Sequence, residues 1–121
     1  MNQRPRRNRN SFNIREMVAE THLKKEDLIY PLFIVDGSQQ KIPIESMPNC
    51  YRWSLDLLIK ELEKCGELGI TNFVLFPVVD NKFKDQKATY SYSSENFYLK
   101  AIEAIKKEFP NFTLMSDVAM D

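Results

Sequence analysis

Residues 28–35 read LIYPLFIV, an almost unbroken apolar run that ends at the turn signal Asp36-Gly37. A strand with one face in water alternates apolar and polar residues, whereas an unbroken apolar run is typical of a strand buried on both faces of a parallel sheet. Pro31 cannot donate a ladder hydrogen bond, so we expect it near the start of the strand or at a sheet edge. The run therefore predicts the first buried strand of an α/β fold.

A connection and an amphipathic helix follow this strand. Residues 38–53 contain Pro43 and Pro48 and are too rich in proline for a helix, so we predict a connection. Ser54 is the predicted N-cap of the helix, and Gly69 is its predicted stop. The apolar stripe of this helix consists of Leu55, Leu58, Ile59, Leu62, Cys65 and Leu68.

The rest of the chain repeats this alternation of strand and helix. The predicted elements are a strand at 72–76 that ends at Pro77, a polar loop at 80–94, a helix capped by Ser93 or Ser94 and ended by Pro110, and a strand at 113–116. Crossover connections of this kind are right-handed and place successive strands parallel. The sequence therefore predicts a parallel α/β sheet of three strands.

The first ten residues form a basic segment without acidic side chains. Its four arginines are Arg4, Arg6, Arg7 and Arg9. Residues 1–25 carry seven basic side chains against two acidic ones, whereas the remaining 96 residues carry ten against fifteen, so the zero net charge hides a basic arm on an acidic body. Ser11 can cap a short helix in the arm. We predict an arm at 1–25 and a body at 26–121.

Two kinds of partner suit such an arm. Clustered arginines neutralise phosphates, which would favour a nucleic acid. The arm has no aromatic side chain before Phe12, however, and the body behind it is acidic. An arm that lies on the acidic body of another subunit explains the charge asymmetry better. We therefore predict contact with another subunit and no nucleic-acid partner.

Composition excludes several other classes of protein. No apolar run approaches the ~20 residues that a membrane span needs, and no hydrophobic signal segment follows the arginines, so we predict a cytoplasmic protein without a membrane partner. The chain has three glycines and no GxGxxG or GxxxxGK[ST] motif, which argues against dinucleotide binding. Cys50, Cys65 and the single His22 form neither a disulfide framework nor a zinc site within this chain.

The candidate chemistry follows the third predicted strand. Functional groups gather at the carboxyl ends of parallel strands, and residues 117–121, DVAMD, place Asp117 and Asp121 there. Such a pair could hold a substrate ammonium, act as acid and base, or ligate Mg²⁺. Alternatively, Asp117 caps the next turn and Asp121 is a solvated loop acid. No lysine stands at a predicted strand end, so residues 1–121 cannot complete a covalent-imine mechanism.

Eight segments together resemble the porphobilinogen synthase (5-aminolevulinate dehydratase) family. They occur in the family's order and spacing across essentially the whole chain, while the loop from Asp80 to Ser94 matches only loosely. The segments are RPRR at 4–7, DLIYPLF at 27–33, DG at 36–37, IESMP at 44–48, YR at 51–52, SLDL at 54–57, LFPV at 75–78 and DVAMD at 117–121.

The resemblance implies a parallel (β/α)8 TIM barrel whose extended N-terminal arm embraces a neighbouring subunit, usually in a homo-octamer. It also implies the condensation of two 5-aminolevulinate molecules to porphobilinogen, with loss of water, in the biosynthesis of haem and chlorophyll. Two lysines on later strands form Schiff bases with the substrates, and both would lie beyond Asp121. We therefore expect this chain to be the first three strands of a barrel, truncated after the third. Because such a piece leaves a sheet edge and an apolar face uncovered, we expect it to fold poorly alone.

The resemblance also assigns individual residues. Asp117 matches the active-site aspartate, which holds and helps to deprotonate a substrate amino group, and Asp121 would face the substrate or a cation. Zinc-dependent members carry cysteines where Ala119 and Asp121 stand here, and this pair cannot reproduce a soft thiolate site. The chain thus resembles the zinc-independent branch, which is often Mg²⁺-responsive, with Asp121 as the candidate Mg²⁺ ligand. The competing interpretation is a self-contained three-stranded α/β binding module whose Arg-rich arm contacts RNA or a protein.

Overall fold

The computed structural model describes residues 6–117, which form an α/β fold. A five-stranded mixed β-sheet packs against two α-helices on one face. The strands are β1 (Tyr30–Val35), β2 (Lys41–Pro43), β3 (Tyr51–Trp53), β4 (Asn72–Val78) and β5 (Thr113–Ser116). The α-helices are α1 (Phe12–Met17), α2 (Leu55–Glu67) and α3 (Phe97–Glu108). Short 3-10 turns occur at Arg7–Arg9, Lys25–Asp27, Asn81–Phe83 and Thr89–Tyr92.

The strand order in the sheet is β2-β3-β1-β4-β5. The three predicted strands β1, β4 and β5 are confirmed as parallel neighbours in sequence order. β3 extends this parallel set on the other side of β1, and β2 pairs antiparallel with β3. The prediction of a purely parallel three-stranded sheet is therefore wrong, because the described residues form five strands and one antiparallel pair.

The two additional strands lie in the segment that we predicted to be a connection. The prolines of 38–53 do not prevent pairing, because Pro43 is the last residue of the edge strand β2 and Pro48 lies in the turn before β3. That turn is closed by a hydrogen bond of 3.0 Å from the Ile44 N–H to the Cys50 carbonyl, and Asn49 adopts a left-handed φ of 65° within it.

Helix α2 begins and ends where the sequence predicts. Gly69 has a φ of +82°, which suits the left-handed stop. Cys65 is buried, as expected for a core cysteine, and burial raises the pKa of its thiol. Leu68 is 67% exposed because it lies at the C-cap, beyond the last turn that faces the sheet. Its assignment to the apolar stripe is therefore wrong.

The N-caps differ from the prediction in detail. Ser54 occupies the N-cap position of α2, but its hydroxyl does not cap the helix: it donates to Asp56 and accepts from the Gln40 N–H at 2.9 Å. Helix α3 is capped by Asn96 rather than by Ser93 or Ser94. The Asn96 Oδ1 accepts from the Tyr98 N–H at 2.9 Å, and this side chain is fully buried.

The side chains of the strands alternate between two faces of the sheet. The covered face packs against α2 and α3, and its strand residues Leu32, Ile34, Phe73 and Leu75 are at most 1% exposed. The open face is the opposite one and presents Phe33, Val74, Phe76 and Met115. Phe33 and Phe76 stack on it with ring centroids 5.6 Å apart and stay half-buried, while Met115 is 40% exposed.

Two hydrogen bonds hold the chain where the arm meets the body, one at the last residue of the arm and one at the first residue of the body. The Lys25 Nζ donates to the Leu68 carbonyl at 2.8 Å, and the Asn72 side chain donates to the Glu26 carbonyl at 3.0 Å. Upstream, the predicted cap at Ser11 is confirmed, since its hydroxyl accepts from the Ile14 N–H. Three apolar side chains of the arm are largely exposed to solvent: Phe12, Met17 and Leu23. Among residues 6–117, no helix has the length and apolar character to cross a membrane.

Candidate functional site

The carboxyl ends of β1, β4 and β5 meet at one edge of the sheet, as the parallel arrangement requires. A cavity of about 450 Å³ lies there, over the open face. Its apolar wall includes Phe33, Phe76 and Val78, and its polar wall consists of Arg52, Lys84 and Asp117. Two cationic side chains and one carboxylate around an apolar floor suit a small molecule that carries both an amine and a carboxylate.

Asp117 follows Ser116, the last residue of β5. Its backbone N–H donates to the Leu75 carbonyl at 3.2 Å and to the Tyr98 hydroxyl at 3.0 Å, which ties the residue to β4 and to α3. The side chain is half-buried and lines the cavity. The prediction that Asp117 stands at the carboxyl end of this strand is confirmed. Asp121 and Ala119 lie outside the described residues.

Tyr98, on α3, supports the position of Asp117 from the covered face of the sheet. Its hydroxyl donates to the Leu75 carbonyl at 2.8 Å, and the side chain is 1% exposed. Burial raises the pKa of Tyr98. The Asp117 N–H that donates to the hydroxyl opposes this rise in pKa, and the nearby Asp117 carboxylate adds to it. The residue was missed at the level of sequence, although the helical spacing that places it in line with Ala101 and Ile105 could have identified it.

Arg52 and Lys84 were also missed as site residues. Arg52 is the central residue of β3 and lies opposite Phe33 in the register, so its place in the cavity wall depends on a strand that the sequence did not reveal. Lys84 follows the 3-10 turn at Asn81–Phe83. In the sequence, Lys84 was marked only by the loose match of its loop to the family, and that match assigns no role to a particular residue.

The loop that carries Lys84 is held by its own turns. Asp80 accepts from the Lys82 N–H at 3.1 Å, and Asp85 accepts from the Thr89 N–H at 2.9 Å. These backbone donors lower the pKa of both carboxyls. Phe83 stacks on Tyr90 with ring centroids 4.5 Å apart. The loop therefore presents Lys84 from a structured base.

Asp36, which directly follows β1, and the described arginines of the arm do not line this cavity. Asp36 lines a second space of about 340 Å³ and accepts from the N–H of Gly37 at 2.8 Å, as in a turn. The arm residues Arg6, Arg7 and Arg9 are exposed and are not part of the cavity wall, while Arg4 lies outside the described residues. Within residues 6–117 no three His, Cys, Asp or Glu side chains come together as a metal site would require.

The family model "ALAD: Delta-aminolevulinic acid dehydratase" matches residues 2–121. Two curated relatives with that name are similar throughout: one from Chlamydia pneumoniae is 43% identical over 121 residues, and one from Bradyrhizobium diazoefficiens is 41% identical over 118 residues. These matches cover 100% and 98% of this chain, but 36% and 33% of the two relatives. The chain thus spans about a third of the length of the relatives it matches.

A solved structure gives the same result at the level of the fold. It is the delta-aminolevulinic acid dehydratase (porphobilinogen synthase) from Toxoplasma gondii ME49, in complex with the reaction product porphobilinogen. The TM-score is 0.91 with 41% sequence identity, over 99% of this chain and 34% of that chain. The similarity includes β2 and β3, since nearly every residue is covered.

Proposed function

The chain belongs to the delta-aminolevulinic acid dehydratase family, and we propose that the whole protein condenses two molecules of 5-aminolevulinate to porphobilinogen with loss of water. The observation that carries this proposal is the place of Asp117, at the carboxyl end of β5 in the wall of the cavity. A family match locates the chain among these enzymes, and the cavity gives it a site of suitable chemistry.

The charges around the cavity complement 5-aminolevulinate. This substrate carries an amine at one end and a carboxylate at the other. In our proposal the Asp117 carboxylate receives the amine, while Arg52 and Lys84 face the substrate carboxylate. The apolar floor around Phe33 and Phe76 excludes water from the carbon chain between these ends.

Asp117 has two roles in this scheme. It holds the substrate ammonium by charge, and it accepts a proton from the nitrogen when the free amine is needed for attack on a carbonyl carbon. Asp121, four residues further on, would offer a second carboxylate to the substrate. The covalent part is assigned to two Schiff-base lysines outside residues 1–121, as the family resemblance implies. Strands β1, β4 and β5 contain no lysine, and Lys84 of the cavity wall faces the substrate carboxylate in this scheme.

We also propose that catalysis is independent of zinc. Ala119 offers no ligand atom and Asp121 offers a hard carboxylate oxygen, a donor set that fits Mg²⁺ rather than Zn²⁺. Asp121 would hold the Mg²⁺, and the bound cation would supply positive charge beside the substrate. A zinc chelator should therefore leave turnover intact, whereas activity that is lost and then restored specifically by Zn²⁺ would contradict this proposal.

The arm at 1–25 is assigned to assembly. We propose that Arg4, Arg6, Arg7 and Arg9 lie on the acidic body, 26–121, of a neighbouring subunit in a homo-octamer. Two observations support this assignment. The apolar side chains of the arm are exposed and gain by being covered, and the exposed Arg6, Arg7 and Arg9 are available to pair with carboxylates of an acidic surface. We further propose a cytoplasmic location. The alternative of an RNA- or protein-binding module is less well supported, because the family match includes the body as well as the arm.

Replacement of Asp117 tests the proposed function. In the whole protein, Asp117→Ala should lower porphobilinogen formation by about a hundredfold or more, the size expected for loss of a positioned base. Glu103→Gln is the matched control, because it removes an exposed carboxylate from α3 far from the cavity, and it should retain full turnover. Sedimentation must give the same oligomer for all three proteins. Turnover near wild type in Asp117→Ala would remove Asp117 from the mechanism.

A further inference from the structure

The Tyr98 hydroxyl lies where three elements of the fold meet. It belongs to the first turn of α3, donates to the Leu75 carbonyl of β4 at 2.8 Å, and accepts from the Asp117 N–H just after β5 at 3.0 Å. A phenolic hydroxyl has one proton to donate and lone pairs that accept, so both kinds of bond are satisfied together. The group thus connects a covering helix to the end of the strand that carries the candidate base.

The strand ladder alone holds Asp117 less closely. The last register pair between β4 and β5 is Leu75 with Ser116, one residue before the aspartate. The Asp117 N–H reaches the Leu75 carbonyl at 3.2 Å, longer than its bond to Tyr98. The phenolic oxygen therefore gives this N–H a second and shorter hydrogen bond, from α3.

Tyr98 itself is fixed in place. Its backbone N–H donates to the Asn96 side chain at 2.9 Å, and the Asn96 Nδ2 donates to the Tyr90 carbonyl at 2.9 Å. The Tyr98 side chain is 1% exposed among the core residues of the covered face. Burial raises the pKa of Tyr98, so the hydroxyl keeps the proton that it donates to Leu75.

We propose that Tyr98 is a positioning residue for the reaction: its hydroxyl sets the backbone of Asp117 and so directs the carboxylate toward the substrate amine. The inference rests on the proposed function, in which Asp117 is the base. A displacement of about 1 Å at a catalytic group can cost roughly a hundredfold in rate, so one lost hydrogen bond at this point can affect turnover more than folding.

The experiment compares Tyr98→Phe with a matched control, Tyr90→Phe, in the whole protein. The Tyr90 hydroxyl also accepts from a backbone N–H at the start of α3, that of Phe97 at 3.3 Å, but it has no hydrogen bond to Asp117. We expect Tyr98→Phe to lower kcat about tenfold or more with KM within about twofold, and Tyr90→Phe to leave both within about twofold. A kcat for Tyr98→Phe within twofold of wild type would overturn the inference. So would a loss no larger than the fall in folded protein, measured by circular dichroism.

A double-mutant cycle separates positioning from general destabilisation. If Tyr98 acts through Asp117, Tyr98→Phe should cause no further loss of kcat in the Asp117→Asn background. A full tenfold loss in that background would overturn the inference. The two proposals also fail differently. Wild-type turnover in Asp117→Asn removes the base and the inference with it, whereas inactive Asp117→Asn beside fully active Tyr98→Phe removes the positioning role alone.

Discussion

Along β4 the covered face receives Phe73 and Leu75, whereas the open face receives Val74 and Phe76. The first two side chains are 0% exposed beneath α2 and α3, and the second two stay half-buried. All four are apolar, so the type of residue does not explain the difference. What differs is the layer above them, which residues 6–117 supply on one face only. The open face has the composition of a buried surface, as expected if the further strands of the barrel that the family resemblance implies enclose it in the whole protein.

The two faces also divide the work of the molecule. The covered face holds the packed core, while the open face carries the cavity and the charged wall of Arg52, Lys84 and Asp117. Tyr98 connects the two, because its ring lies in the core and its hydroxyl bonds to the strand ends. Three comparisons test this division and the helix that covers the core, and they are described from the largest expected effect to the smallest.

The largest contrast lies between two phenylalanines of β4. Phe73→Ala should lower the free energy of unfolding of the whole protein by about 3–5 kcal/mol, because it leaves a sealed void in the core. Phe76→Ala should cost about 1–2 kcal/mol, because Phe76 lines the cavity, and its removal from the substrate-free protein widens an existing space rather than creating a new void. Urea unfolding of both variants measures the difference. Equal losses would show that the open face is packed as tightly as the covered face.

The second comparison, at Gly66 of α2, tests how tightly the side chains of the covered face are packed. A Cβ at Gly66 would lie 2.8 Å from Cζ of Phe112, whose ring is stacked on Phe109 at 4.7 Å and packs against Phe73 at 5.3 Å. Overpacking should therefore outweigh the gain in helix propensity, and Gly66→Ala should destabilise by about 1–2 kcal/mol in a thermal melt. Glu67→Ala, at the exposed neighbouring position, should be nearly neutral. A stabilised Gly66→Ala would mean that the ring moves aside and the core is loose.

The third comparison, at Asp56, concerns the hydrogen bonds at the start of α2. The Ser54 hydroxyl and the Gln39 N–H donate to Asp56, and they lower its pKa. Because the folded pKa lies below the unfolded value of about 3.9, the bonds stabilise the fold above that pH, and the effect is lost as the pH falls through the folded pKa. Asp56→Asn should therefore lower the urea midpoint at pH 7 and differ less from wild type near pH 3. A midpoint difference that is the same at both pH values would contradict this origin, and Glu63→Gln serves as the exposed control.

Local signals predicted much of the fold. The runs of β1 and β4 are continuous and apolar, and α2 has a regular stripe with a glycine stop, so each element could be recognised from its own residues. β2 and β3 could not, because three-residue strands have no pattern of their own. β3 forms by pairing along the edge of β1, and β2 forms by pairing with β3. For the N-cap of α3 the sequence offers several adjacent polar residues. The structure selects Asn96, whose side chain also donates to the Tyr90 carbonyl in the preceding loop.

The site divides in the same way. Asp117 could be predicted because it directly follows a strand, and the carboxyl ends of parallel strands converge. Arg52 enters the cavity wall through β3, and Lys84 enters through a loop shaped by Asp80 and Asp85, so both positions depend on tertiary structure. The assignment of Asp121 as a Mg²⁺ ligand stays a prediction.

The junction at Lys25 and Glu26 has a mechanical consequence. Lys25 is hydrogen-bonded to Leu68, the C-cap of α2, and Glu26 is hydrogen-bonded to Asn72, the first residue of β4. In the proposed assembly, a neighbouring subunit that binds the arm would act on a fixed junction rather than on a flexible linker. Any force on the arm would therefore be transmitted to the amino-terminal end of the sheet, opposite Asp117. Assembly would stabilise each subunit at the end of the sheet that does not carry the candidate site.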